Sequence, residues 1–139
     1  MYVGTYYHTL ESKGRLSLPK SFRQQQSDWV LTAGLDGCIF VFAQKQFESE
    51  VAKLTELSYY KADHRAIIRH LASHAQEQKP DAQGRITISP DLQKYAQLKK
   101  QVVVVGSLTR IEIWDAERYH QLFDNLAQTV EISSEKIDL

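Results

Sequence analysis

Alternating apolar and polar positions predict short strands in two distant parts of the chain. Leu16 and Leu18 alternate with polar residues, and Ile86 and Ile88 do so again seventy residues later. A period of two is typical of a strand with one buried face. The other apolar runs predict further strands at residues 4–10, 29–33, 38–42, 101–105 and 110–114.

The two strand-rich parts are copies of one pattern. Residues 11–18 (ESKGRLSL) match residues 81–88 (DAQGRITI) at an offset of 70, and residues 30–42 match 102–114 at an offset of 72. Each copy predicts the order strand, turn, strand, short helix, strand, turn, strand. Four short strands cannot bury both of their faces alone, so two copies are expected to interlock as a small pseudo-twofold barrel.

Turn and helix signals lie at matching places in the copies. Gly14 and Gly84 supply the positive φ of a tight connection. Short helices are predicted to open at Pro19 and at Ser89-Pro90, where Ser can cap and Pro can take the first helical position.

Longer helices are predicted outside the strands. Apolar stripes indicate amphipathic helices over 47–54 and 119–126, and Asp63 is expected to cap a helix that runs to about residue 74. Residues 130–139 show no periodicity, which predicts a mobile end.

The charge is uneven although it sums to zero. The 139 residues contain 17 Lys+Arg and 17 Asp+Glu, but residues 1–110 hold 15 basic against 10 acidic residues and residues 111–139 hold 2 against 7. A basic body with an acidic end can leave one face free for a polyanion, because screening confines charge interactions to about 8–10 Å. No signal-peptide pattern and no apolar run of membrane-spanning length is visible, and there is one cysteine, so we expect a soluble cytoplasmic protein.

The paired turns support a family resemblance. Glu11-x-Lys13-Gly14-Arg15 and Asp81-x-x-Gly84-Arg85 resemble the D-x-K-G-R signature of the MraZ family, with Glu for Asp in copy one and Gln83 for Lys in copy two. The resemblance covers residues 1–127. It implies an α+β fold of two tandem AbrB-like swapped-hairpin modules with peripheral helices, assembled as a ring-shaped homo-oligomer, with an octamer as one candidate size. It also implies a nucleoid-associated transcriptional regulator that represses its own division and cell-wall gene cluster by binding direct repeats in double-stranded promoter DNA.

The predicted organisation follows the repeat. We expect module 1 over residues 1–47, linking helices over 48–74, module 2 over 75–119, and a C-terminal helix with an acidic tail over 120–139.

The residue types at the turns fit DNA binding. On one strand, Lys13 and Arg15 would project to the same side, with Gly14 allowing a close approach between them. An arginine fork matches guanine or a phosphate, whereas lysines position the backbone. We therefore predict a DNA-binding set with a structural set beside it. The DNA-binding set is Lys13, Gly14, Arg15, Lys20, Arg23 and Arg85, and the structural set is Glu11, Asp81 and Gly84.

Other roles stay open for these and other residues. Glu11 and Arg15 could pair across the turn, and Arg85 has the spacing to pair with Asp81. An AbrB-like module could instead act as an antitoxin, with the acidic C-terminal segment as its functional part.

Enzyme signatures are weak. His70 and His74 have the spacing of two zinc ligands on a helix but no evident third ligand, and Cys38 has no evident activating base. A small metal-dependent enzyme is thus the least favoured hypothesis. We expect no catalytic site, metal, cofactor or small-molecule ligand.

Overall fold

The computed structural model describes residues 1–138 and is of the α+β class. Within these residues there are eight strands and six α-helices. The strands are β1 (Thr5–Thr9), β2 (Arg15–Ser17), β3 (Trp29–Ala33), β4 (Ile39–Ala43), β5 (Gln76–Gln78), β6 (Arg85–Thr87), β7 (Gln101–Ser107) and β8 (Arg110–Asp115). The helices are α1 (Lys20–Arg23), α2 (Gln44–Thr55), α3 (Ala62–Ser73), α4 (Pro90–Tyr95), α5 (Ala116–Phe123) and α6 (Leu126–Lys136).

Strand pairing interleaves the two sequence copies. Six strands form one sheet in the order β1-β7-β8-β4-β3-β5, so the first strand of each copy pairs with the third strand of the other. β4 and β8 meet in the middle of the sheet, where Phe40 faces Glu112, its counterpart at offset 72. β2 and β6 form a separate antiparallel pair in which Leu16 faces Ile86, its counterpart at offset 70. An approximate twofold axis therefore relates the copies.

The β2–β6 ribbon, defined here as residues 15–17 and 85–87, is held by one face. Leu16 and Ile86 are fully buried in a core cluster with Ile39, Val41 and Ile111 of the six-stranded sheet. The alternate residues of the ribbon point the other way, and Thr87 among them is exposed. The period-two alternation of the sequence thus has a direct cause, since the inner face lies on the core and the outer face lies toward solvent.

The opposite face of the sheet carries the longer helices. Phe40 and Phe42 alternate with Ile39 and Val41 along β4 and belong to a second cluster with Trp114. The helices α2, α3 and α5 cover this cluster with Phe47, Leu71, Tyr119 and Phe123. Both faces of β4 are buried for this reason.

Three helical predictions need correction. α1 starts at Lys20, so Pro19 precedes the helix, whereas Ser89 caps α4 as predicted, with its hydroxyl accepting from the Leu92 amide at 3.3 Å. α3 begins at Ala62, so Asp63 lies inside its first turn and does not cap it. α6 continues to Lys136, where an aperiodic end was expected, because none of its residues is buried and an unburied helix leaves no apolar stripe to detect.

In residues 1–138 no helix has the length and apolar character needed to cross a membrane.

Candidate nucleic-acid interface

Each end of the β2–β6 ribbon is built from both copies. The turn before β2 (residues 11–15) lies under Gln93 of α4, and the turn before β6 (residues 81–85) lies under Arg23 of α1. Because β2 and β6 are antiparallel, the helix that follows one strand lies beside the turn that precedes the other. Arg23 and Gln93 are counterparts at offset 70, so the repeat itself contained the signal for Gln93, which the sequence reasoning missed.

The two turn glycines have the predicted conformation. Gly14 and Gly84 have φ of 72° and 78°. A Cβ at Gly14 would clash with the backbone carbonyl of Ile88 and the side-chain amide of Gln93. A Cβ at Gly84 would clash with the Arg23 guanidinium.

These surroundings predict that alanine at Gly14 and alanine at Gly84 reduce the folding stability by different amounts. Gly14→Ala should destabilise the protein by more than the roughly 1 kcal/mol typical of a residue forced to positive φ, because the Ile88 backbone cannot move aside. Gly84→Ala should cost less, since the flexible Arg23 side chain can shift. Thermal unfolding of both variants measures this difference, and equal melting temperatures would contradict it.

Lys13 does not share a strand with Arg15, contrary to the prediction. It lies in a 3-10 turn over Ser12–Gly14 with φ of 63°, and β2 begins only at Arg15. The amide of Glu11 donates to the Arg15 carbonyl at 2.8 Å and closes the turn. Lys13 is therefore an exposed residue of the turn. Strand geometry gives no reason for its side chain to project on the same side as that of Arg15.

Arg15 and Arg85 share the outer face of the ribbon. Arg15 lies opposite Thr87 and Arg85 lies opposite Ser17, which makes the two arginines diagonal neighbours. Such positions are about 7–8 Å apart in an antiparallel pair. Both arginines are half-buried, in contrast to the fully buried Leu16 and Ile86 between them.

Two carboxylates hold Arg85. Its Nε donates to Asp81 Oδ2 at 2.8 Å, and its terminal nitrogen lies 3.5 Å from Glu11 Oε1. The other Asp81 oxygen accepts from the backbone amides of Gln83 at 2.9 Å and Arg85 at 3.0 Å. The amide of Arg85, with help from that of Gln83 and the Arg85 side chain, lowers the pKa of Asp81. The alternative pairing of Arg85 with Asp81 is thus present.

Arg15 has no such partner within residues 1–138. Among residues 1–138 no carboxylate forms an ion pair with it, and the alternative pairing with Glu11 is wrong because Glu11 contacts Arg85 instead. The outer face of the ribbon therefore carries one neutralised arginine and one arginine without an ion-pair partner in the described chain.

Lys20 and Arg23 lie at the other end of the ribbon from Lys13. Arg23 donates to the Gln83 carbonyl at 3.4 Å, and its Nε is buried without a hydrogen-bond partner in the described chain. Lys20 is exposed one turn earlier on α1. The predicted basic residues thus surround the ribbon at both ends and do not form a single cluster.

The histidine and cysteine candidates are engaged in local structure. His70 Nε2 donates to the Gly34 carbonyl at 2.7 Å, and His74 Nδ1 donates to the His70 carbonyl at 2.7 Å. Since a carbonyl only accepts, each of these nitrogens holds its proton. Burial raises the pKa of the Cys38 thiol, which disfavours the nucleophilic thiolate. No group of three or more metal-ligating side chains was found in residues 1–138.

These features define a class of protein: a tandem-repeat α+β protein whose two copies interleave and present a basic two-stranded ribbon. A family model described as "MraZ protein, putative antitoxin-like" matches the chain twice, over residues 1–70 and 71–138. The chain belongs to the MraZ family.

Individual relatives agree along nearly the whole chain. A protein of Moorella thermoacetica is 40% identical over 138 residues, covering 99% of this chain and 96% of its own. One from Alkaliphilus metalliredigens is 42% identical over 126 residues, covering 90% and 88%, and one from Saccharopolyspora erythraea is 41% identical over 125 residues, covering 89% and 87%. All three are named transcriptional regulator MraZ.

Proposed function

We propose that this protein is a transcriptional regulator that binds double-stranded DNA through the outer face of the β2–β6 ribbon. The observation that supports this most directly is Arg15, which lies on the outer face without an ion-pair partner in the described chain while its counterpart Arg85 is paired twice. The names of the relatives support the regulatory role.

A two-stranded ribbon with an arginine on its outer face suits the DNA major groove. That groove admits a two-stranded ribbon, and a bidentate arginine contact to guanine contributes about 1–3 kcal/mol of discrimination. We assign this contact with guanine to Arg15. Lys13 at one end of the ribbon and Lys20 and Arg23 at the other are assigned to phosphates, which fix the position of a protein on the duplex. Gly14 and Gly84 are assigned to shaping the two turns, because the space that a side chain would take is filled by Gln93 and Ile88 at Gly14 and by Arg23 at Gly84.

Repeated presentation of the ribbon compensates for its small basic area. One protomer has zero formal net charge and one ribbon arginine without an ion-pair partner in the described chain, which makes a weak contact. A ring-shaped homo-oligomer of swapped-hairpin modules would present several ribbons to tandem repeats and gain affinity through effective concentration. We infer that the protein acts in this form on direct repeats upstream of its own division and cell-wall gene cluster, as a nucleoid-associated repressor in the cytoplasm.

Selection of bound fragments from the host genome tests this function. Purified protein should retain fragments that contain short direct repeats upstream of its own gene, and its affinity for them should fall steeply with salt. Each neutralised phosphate contributes close to one unit to the log–log slope. Retention of random fragments only, or a flat salt response, would count against the proposal.

A second function is favoured by α6. This helix buries no residue, and Leu126, Val130, Ile132 and the following Ile137 are exposed beside the acidic residues of the C-terminal segment. Such a surface suits the antitoxin-like role, in which it would bind another protein. A stoichiometric protein that co-purifies with the wild type but not with a chain ended before Leu126 would favour this function.

A further inference from the structure

The ribbon is symmetric in sequence but asymmetric in its ion pairs. Arg15 and Arg85 are counterparts at offset 70, and so are Glu11 and Asp81. A symmetric arrangement would give each arginine one carboxylate. Instead Arg85 contacts both carboxylates and Arg15 contacts neither.

The difference between Glu and Asp accounts for this asymmetry. The short Asp81 side chain is fixed within its own turn, because one oxygen accepts two backbone amides and the other faces Arg85 Nε. Glu11 is one methylene longer and accepts no backbone amide in the described chain. Its carboxylate extends across the ribbon, where it reaches the Arg85 guanidinium at 3.5 Å.

We propose that Glu11 is a specificity-determining residue of the DNA-binding ribbon, which acts by withholding Arg85 from DNA. The inference rests on the proposed function. A guanidinium that lies against two carboxylates has its positive charge neutralised, and here Asp81 also takes the Nε–H donor of Arg85. A phosphate that contacted Arg85 would lie beside these two carboxylates, whose negative charge opposes the contact.

Withholding Arg85 from DNA affects the sequence selectivity of binding and the orientation of the protein on the duplex. With Arg85 withheld, Arg15 is the one ribbon arginine of a protomer that contacts bases. The contact is then asymmetric and fixes the orientation of the ribbon along the duplex. Two equivalent arginines would offer a twofold-symmetric face, and a second free arginine would add contacts to any phosphate backbone. Glu11 thus suppresses binding that does not depend on sequence.

The substitution Glu11→Gln tests this inference on the full-length protein. Affinity is measured for the genomic repeats and for a scrambled duplex of equal length, and the readout is the ratio of the two. Glutamine keeps the length of the side chain but removes the charge, so Arg85 is partly released. We expect the ratio to fall at least threefold, chiefly because the scrambled duplex is bound more tightly.

A second background separates this mechanism from a general charge effect. Loss of any acidic residue near the ribbon could strengthen binding to both duplexes alike, which would leave their ratio unchanged and overturn the inference. In the Arg85→Gln background, Glu11→Gln should change the ratio by less than twofold, since no arginine remains to be released. An equal fall of the ratio in both backgrounds would also overturn it.

Two checks keep the outcomes distinct. Circular dichroism melting confirms that the variants are folded, and Arg85→Met, which keeps the aliphatic stem, replaces Arg85→Gln if the latter unfolds. If the wild type does not retard the genomic repeats, the proposed function fails. If it does and the Glu11 effect is independent of Arg85, only the present inference fails.

Discussion

Replacement of Arg15 by alanine should abolish sequence-specific retardation of the promoter repeats while the oligomer stays intact. Arg15 is the ribbon arginine without an ion-pair partner in residues 1–138, so its donors are available to bases. A lost bidentate contact costs about 1–3 kcal/mol, or roughly 5- to 150-fold in affinity for one protomer. Because an assembly presents several copies, the loss on tandem repeats should exceed that for a single site.

The control for this variant removes an equal charge elsewhere. Arg69 is exposed on α3, which covers the opposite face of the sheet through Leu71. Arg69→Ala should therefore leave retardation within about twofold of the wild type, because charges beyond about 8–10 Å are screened. Retardation and sedimentation are measured for both variants. Unchanged binding by Arg15→Ala would remove Arg15 from the interface, and equal losses in both variants would indicate a non-specific charge effect.

Much of the fold could be predicted because the chain repeats. The shared pattern located seven of the eight strands, the two turn glycines and the short helices, and it implied an approximate twofold relation between copies. For β5 it gave only the place in the order of elements and no residue range. Alternation showed that Leu16 and Ile86 face inward. It could not show that they face each other, since a period of two identifies the buried side of a strand but not its partner.

Of the two ion pairs of Arg85, only one could be inferred from the sequence, for a related reason. Asp81 and Arg85 are four residues apart and could be matched by spacing, but Glu11 and Arg85 are seventy-four positions apart. Their contact exists only because β2 and β6 are antiparallel in one particular register. Lys13 was misplaced because strand geometry was extended into the turn, where its positive φ breaks the alternation.

Removal of the Leu16 side chain should give the largest loss of stability of any change considered. Leu16 is fully buried on the inner face of the ribbon, where it pairs with Ile86 and belongs to the cluster of the six-stranded sheet. Leu16→Ala leaves a cavity and loses apolar contact, which together cost about 2–5 kcal/mol. At about 4 °C per kcal/mol for a domain of this size, the melting temperature should drop by roughly 8–20 °C.

The same ribbon supplies a matched control. Thr87→Ala alters an exposed residue one position beyond Ile86, and a surface change of this kind stays within about 0.5 kcal/mol. Both variants are compared by thermal unfolding, and Leu16→Ala is compared with the wild type by retardation of the repeats below the melting temperature of Leu16→Ala. DNA binding by Leu16→Ala should also weaken there, because Arg15 depends on the docked ribbon for its position. A melting temperature equal to that of Thr87→Ala would mean that the ribbon is not anchored to the core through Leu16.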